Sequence, residues 1–206
     1  MRSGDPVPLV VFVVGAPGAG KSTVARHLAE RLGCAEFLSG DVLRRTAEED
    51  SEIGRDVADR LSRDETMPVS LYCRIVRREV GREVGRGGHT GVVFDGFPRT
   101  LEQCLAIPTV LDAARVPDAD VLGLGLLVPA TVSIDRISRR VERTEDTAHQ
   151  ARTRLSTHVR RSTDIATAFA ARWPYVELDA TNGIGHVVNA ALAALSGQVD
   201  RVAERR

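Results

Sequence analysis

Lysine is almost missing from this chain. Of 28 basic residues only Lys21 is a lysine; every other one is arginine. Cysteine is scarce too. Cys34, Cys73 and Cys104 are odd in number, far apart and free of any C-x-x-C spacing. That argues against a disulfide framework or a cysteine-built zinc site and fits a reducing compartment. Each cysteine reads as a small, partly buried hydrophobe. Net charge is lacking, because 28 acidic residues balance the basic ones, so no global field draws the chain to nucleic acid or to a membrane. Local arginine clusters can still make an anion site. The apolar run nearest the N-terminus is too short for a membrane span and glycines follow it at once, so no membrane helix and no signal peptide is expected. Aromatic residues make up 4% of the chain; Trp173 and Tyr175 read as packing residues rather than stacking platforms. The remainder is ordinary. With 43% hydrophobic and 27% charged residues over 206 positions, a cytoplasmic protein with one buried core and small insertions is expected. There is no internal repeat and no low-complexity tract.

The sole lysine stands in the stretch around which the chain is organised, Gly15-Ala16-Pro17-Gly18-Ala19-Gly20-Lys21-Ser22-Thr23. Before it lies the apolar, largely β-branched run Leu9–Val14; after it, Val24, Leu28 and Leu32 repeat at helical spacing. Strand, glycine loop and helix form the context that the phosphate-binding pattern G-x-x-x-x-G-K-[ST] requires. Glycines let backbone N–H groups turn around a polyphosphate, and the helix N-terminus adds its positive dipole end. Lys21 is expected at the β- and γ-phosphates, and Ser22 at Mg²⁺. A compact ammonium on a thin stem fits inside such a loop, whereas a guanidinium fork does not.

Further strands are expected at Ala35–Leu38, Gly91–Asp95, Val121–Val128 and Tyr175–Asp179. Between them the pattern is helical. Ser51 is placed to cap one helix, another runs from Val69 to Val84, and Leu101 starts a third. A helix follows Pro129, a long one spans about 147–172, and a last one begins after the Asn182-Gly183 turn. Arg201–Arg206 is expected to fray. Strands alternating with helices give an α/β fold with a parallel sheet. Ligands of such sheets bind at the carboxyl ends of the strands, where Gly15, Ser39, Asp95 and Val128 lie. Asp95, an acid ending a buried strand beside a phosphate loop, is a candidate for holding Mg²⁺ directly or through water.

Several segments are identified as resembling the nucleoside monophosphate kinases of the adenylate kinase family: Gly15–Lys21; Phe94-Asp95-Gly96-Phe97-Pro98-Arg99-Thr100-Leu101-Glu102-Gln103; Ser39–Arg44; Met67-Pro68-Val69; Asp135–Arg140; and the arginines Arg143 and Arg154. The resemblance runs over roughly residues 9 to 195. It implies a P-loop NTPase-type fold with a five-stranded parallel sheet. The core would comprise 9–39, 86–140 and 147–196, with a helical monophosphate-binding region at about 40–85 and a short lid at about 141–147. It implies ATP as donor, Mg²⁺, a nucleoside monophosphate as acceptor, and a monomer. Gly18, Ala19, Gly20, Lys21, Ser22, Thr23, Arg136 and the Asn182 region would bind ATP. Ser39, Arg44, Met67, Pro68, Val69, Gly96, Phe97, Pro98, Arg99 and Gln103, with Arg143 and Arg154, would form the acceptor site. Ser39 and Gln103 would meet the base; Arg44 and Arg99 would hold the α-phosphate. Arg136, Arg140, Arg143 and Arg154 would close over the donor and the transferred group.

The chain departs from the family pattern in places. Ser22 stands where the family has glycine, Glu145 where the lid has aspartate, Asp64 where a glycine precedes the proline turn, and Val69 where an acid follows it. Three readings of function stay open at this stage. The first is transfer from ATP to AMP. The second is transfer to UMP, CMP or another small acceptor; family members specific for pyrimidines usually carry alanine at the position of Ser39, which favours AMP. The third is a nucleotide-binding module without efficient transfer.

Overall fold

The computed structural model describes residues 7–81, 89, 91–141 and 162–203. Five strands form one sheet: β1 (Leu9–Gly15), β2 (Ala35–Leu38), β3 (Gly91–Asp95), β4 (Asp120–Leu127) and β5 (Tyr175–Asp179). Their order is β2-β3-β1-β4-β5, and every pairing is parallel. The β-branched runs of the sequence supply the strands, and strands covered on both faces have no need of alternating polarity.

Alternate residues of the strands face opposite layers. Val11, Val13, Val93, Leu122, Leu124 and Leu126 pack beneath α1 (Lys21–Leu32). Val10, Phe12, Val92 and Phe94 face the other way. That second layer is built by α2 (Ser39–Ala47), α3 (Glu52–Ser62), α4 (Val69–Glu79), α5 (Leu101–Leu105) and α6 (Ile107–Ala113). Further on come α7 (Ala130–Val141), α8 (162–170) and α9 (Ile184–Ala203). Helix α9 lies beside α1 and buries Val187, Val188, Ala191 and Leu195.

Every aromatic residue of the chain belongs to one connected set of ring contacts. Phe12 touches Phe94, Phe97 and Phe169; Phe37 touches Phe94 and Tyr72; Tyr72 stacks on Phe97; Phe169 touches Trp173 and Tyr175. The scarce rings are thus concentrated on one face of the sheet, where their area contributes most. Tyr175 lies across β4 at two glycines: a methyl group at Gly125 would stand 2.3 Å from its hydroxyl.

Local signals account for the boundaries. The Ser51 hydroxyl accepts from Gly54 N at 2.9 Å and caps α3. Thr100 caps α5 in the same way through Gln103 N. Asp64 takes φ 54°, the left-handed region that glycine favours and that aspartate tolerates better than most residues. This is the position at which the resemblance supplies a glycine. Arg78 holds Glu49 with two guanidinium nitrogens, at 2.6 and 2.9 Å, and Arg45 pairs with Glu79, so α2 and α4 are clasped together.

Some sequence expectations are corrected. The helix after Val69 runs to Glu79 and is interrupted at Val80; Gly81 is helical again, and Val84 lies outside the described residues. The helix begun by Leu101 breaks at Ala106, because Pro108 occupies the start of the next one and has no N–H to continue the first. The last helix runs through Ala203 and so includes Arg201, which was expected to fray. The expected long helix at 147–172 is helical over 162–170; its first part lies outside the described residues. Among the described residues no helix is long and apolar enough to cross a membrane. Nor, among them, does any group of three or more His, Cys, Asp or Glu residues converge as metal ligands.

Candidate active site

The carboxyl ends of β1 and β3 meet at the glycine loop. Helix α1 begins after Gly20 with no side-chain cap and no acid in its first turn. Its leading N–H groups are therefore left for an anion. Gly18 and Gly20 take φ 79° and 89°, and a Cβ at Gly18 would also meet Ser133 O at 2.7 Å. The loop's carbonyls are tied back by side chains. Ala16 O accepts from Lys21 Nζ at 2.9 Å, Pro17 O from Ser133 Oγ at 2.6 Å, and Gly18 O from Arg136 Nη1 at 3.4 Å. Three successive carbonyls are thus engaged with the protein, and the amide side of the loop is the side suited to an anion.

Arg136 also donates to Ala180 O at 3.0 Å and Thr181 O at 3.5 Å. It joins the glycine loop to the turn after β5. That turn is shaped by Asp179, whose Oδ1 accepts from Thr181 N at 2.9 Å and Thr181 Oγ1 at 2.6 Å. These hydrogen bonds hold the Asp179 carboxyl below the usual carboxylate range. Asn182 is exposed beside the turn.

Ser22 Oγ donates to Asp95 Oδ2 at 2.5 Å. Asp95 is buried, and its other oxygen, Oδ1, has no hydrogen-bond partner. An unsatisfied buried carboxylate oxygen is costly. A hard, oxygen-seeking divalent cation suits this donor set of hydroxyl and carboxylate.

On the far side of Asp95 stands the candidate acceptor site. Arg44, on α2, is 57% exposed at its side chain and donates to Asp41 Oδ1 at 2.6 Å. Arg99 is exposed, with Nε donating to Gly96 O at 2.7 Å. The Phe97–Pro98 peptide between them is cis. Behind the arginines the polar groups turn inward. Gln103 Oε1 accepts from Arg99 N at 2.8 Å and its Nε2 donates to Met67 O at 2.9 Å. Gln103 thus bridges the arginine turn to the Met67-Pro68-Val69 turn. Ser39 Oγ donates to the Asp95 carbonyl and contacts Tyr72 Oη at 3.0 Å. Ser39 and Gln103, assigned to the base from sequence, therefore have polar atoms already engaged with protein.

The structure gathers Gly18, Ala19, Gly20, Lys21, Ser22, Thr23, Asp95, Arg136 and the Asn182 turn at one end of the sheet. Hydrogen bonds and ring contacts join Ser39, Met67, Gly96, Phe97, Arg99 and Gln103 beyond the ends of β2 and β3, with Pro68 and Val69 continuing from Met67 and Pro98 lying between Phe97 and Arg99, while Arg44 stands on α2 paired with Asp41. Arg143 and Arg154 lie outside the described residues, and Arg140 is placed only as a residue of α7. Sequence reasoning missed Ser133 and Tyr72. Ser133 had a usable signal, since it precedes Arg136 by three and Arg140 by seven residues on one helix face. Tyr72 had none, being one apolar position among Leu71, Ile75 and Val76.

Comparison with known proteins extends these observations. Residues 13–172 match the family model for adenylate kinase. The chain is 31% identical over 198 residues to the adenylate kinase of Caulobacter vibrioides, covering 95% of this chain and 98% of that one. It is 29% identical over 192 residues to the adenylate kinase of Kocuria rhizophila, at 90% and 97% coverage. It is 32% identical over 166 residues to that of Thermus thermophilus, at 79% and 83%. A match reaching from β1 past the end of α8, over a sheet and loop of this geometry, places the chain in the adenylate kinase family of nucleoside monophosphate kinases.

Proposed function

We propose that this kinase transfers the γ-phosphoryl group of ATP to AMP, yielding two molecules of ADP. What supports the reading is the presence of exposed cations outside the glycine loop. A triphosphate loop needs no further arginines to bind ATP, yet Arg44, on α2, and Arg99, after β3, are both exposed. That pair also weighs against a module that only binds nucleotide. Ser39, in place of the alanine of pyrimidine-specific members, supports AMP over UMP or CMP, as do the names of the relatives.

Transfer joins two polyanions, so the protein must neutralise charge and keep water from taking the phosphoryl group. Loop amides and Lys21 hold the donor's phosphates. Arg44 and Arg99 hold the acceptor's α-phosphate, an arrangement suited to planar, multidentate guanidinium groups. An oxygen of that phosphate attacks the γ-phosphorus, and the bond to the β-bridging oxygen breaks, leaving ADP. The attacking oxygen is already anionic at neutral pH, so no general base is required. Ser22 and Asp95 would hold Mg²⁺, which when bound neutralises phosphate charge. Arg136, by clasping the glycine loop to the turn after β5, sets the donor pocket in which the Asn182 backbone meets the adenine. We assign the helical region at about 40–85 to acceptor binding and the segment at about 141–147 to a short lid. Arg140, Arg143 and Arg154 complete the charge around the moving group. The protein acts as a cytoplasmic monomer on nucleotides alone.

A coupled assay of ADP formation from ATP with AMP, CMP, UMP, GMP and dTMP tests the reading. AMP is expected to be the best acceptor. Transfer to none of the five would refute it, and a pyrimidine nucleotide as best acceptor would replace AMP.

A further inference from the structure

The glycine loop opens with a turn whose two peptide orientations have opposite consequences for an anion. Ala19 N donates to Ala16 O at 3.1 Å across Pro17 and Gly18, and Gly18 takes φ 79°. Proline at the second position and a left-handed glycine at the third make this a type II turn. Rotating the central Pro17–Gly18 peptide by about 180° converts it to type I and keeps the path of the chain. Proline suits the second position of both types, and glycine takes either sign of φ. The turn's own residues therefore leave both orientations open. A trans peptide is planar, with its C=O and N–H pointing opposite ways. In the observed orientation the Pro17 carbonyl meets α7, so the Gly18 N–H points away from that helix. In the flipped orientation the N–H would point toward α7, and carbonyl lone pairs would stand where an anion needs a donor.

Ser133 selects between them. Its Oγ donates to Pro17 O at 2.6 Å, and the residue is 0% exposed. A serine inside a helix can turn its hydroxyl back to the carbonyl four residues earlier. Here that carbonyl, Pro129 O, accepts from the Ser133 N–H at 3.0 Å, and the hydroxyl crosses to the loop instead. The same residue walls the turn, since a Cβ at Gly18 would stand 2.7 Å from Ser133 O and 3.2 Å from Ile137 Cγ1. Resting on the reading of this loop as the ATP site, we propose that Ser133 is a positioning residue for the donor. It latches the Pro17–Gly18 peptide with its N–H toward the triphosphate. Ser133 acts through the loop and touches no substrate. Without the hydroxyl, Pro17 O loses its partner and the empty protein populates the flipped peptide. ATP then binds only the fraction of molecules in the right orientation, and its apparent affinity falls by that fraction. Arg44 and Arg99, on other elements, keep their geometry.

The test measures binding of a non-hydrolysable ATP analogue with a β,γ-imido bridge by calorimetry, without acceptor, together with KM for ATP and for AMP. Ser133→Ala is expected to weaken analogue binding and to raise KM for ATP by about three- to tenfold, as for the loss of one neutral hydrogen bond. KM for AMP, and kcat at saturating ATP, are expected to change little. Ser133→Thr and Ser133→Val match each other in shape and differ in the hydroxyl. The threonine variant is expected to bind the analogue several-fold more tightly than the valine variant. A purely structural role would lower thermal stability and leave analogue affinity unmoved. Equal analogue affinity in the parent and Ser133→Ala, or in the threonine and valine variants, overturns the inference, as does a joint rise of both KM values. Because the calorimetric arm needs no acceptor, a parent that binds the analogue yet transfers to no monophosphate overturns the kinase reading alone. A parent that does not bind the analogue overturns both.

Discussion

Ser22 and Asp95 meet at 2.5 Å through a hydroxyl–carboxylate hydrogen bond that joins the first turn of α1 to the end of β3. The same carboxylate keeps a buried oxygen without a partner. This leads to a prediction about metal rather than about nucleotide. Ser22→Ala removes one oxygen of the donor set and leaves the glycine loop's amides untouched. The gain in ATP affinity on adding Mg²⁺, measured by calorimetry, is expected to shrink by 10- to 100-fold, with ATP affinity in the absence of Mg²⁺ little changed. An unchanged gain would remove Ser22 from the metal site.

Lys21 reaches back to Ala16 O inside its own loop. A guanidinium is wider and planar and has no room for that geometry. Lys21→Arg is expected to keep the fold and to lose at least about 10² in kcat/KM, with Lys21→Ala losing at least as much. Normal turnover in the arginine variant would show that charge alone suffices there.

Arg99 is held by Gln103 through its backbone and by Gly96 through Nε, which leaves the outer guanidinium nitrogens for an anion. Arg99→Ala is expected to lower kcat by on the order of 10² or more. Gln103→Ala is expected to lower it less, because Arg99 keeps its charge and loses only its anchor. Parental turnover of Arg99→Ala in steady-state assays would exclude the role assigned to it.

The organisation of this molecule was largely written in its local patterns, and the exceptions are instructive. Leu9–Val14 and Gly91–Asp95 are apolar without alternation, and both are buried central strands. Gly15–Thr23 announces its loop because glycine at left-handed φ is the means by which backbone amides line an anion site. What the sequence could not reveal is which hydrogen-bonding groups are already used. Ser39 and Gln103 look available as letters, but whether a hydroxyl or amide is free depends on partners 36 to 56 residues away. The break at Ala106 was hidden for a different reason. Helical periodicity runs through it, and only Pro108 marks it.

A pH effect is expected at the turn after β5. Asp179 titrates below its ordinary range because Thr181 donates two hydrogen bonds to it. A lowered pKa in the folded state means that the contribution is fully present above the unfolded value of about 3.9 and is lost as pH falls through the folded value. Thermal unfolding of the parent and of Asp179→Ala should differ by a constant amount near neutrality. The two should converge in acid below about pH 4. A gap that persists unchanged in acid would mean that the ionised carboxylate is not what shapes the turn.

The lopsided distribution of rings has an optical consequence. All aromatic side chains belong to the layer containing Phe12 and Tyr72 or pack against it, and the layer beneath α1 and α9 holds none. The chromophores of this protein therefore sit on one side of the sheet. Emission from Trp173 and the near-ultraviolet dichroism of the tyrosines follow the layer containing Phe12 and Tyr72, while α1 and α9 melt in the dark. An optical denaturation curve is thus a record of one layer. Amide exchange along Val24–Ala29 records the other, and agreement between the two is the measure of whether the sheet's faces unfold as a single unit.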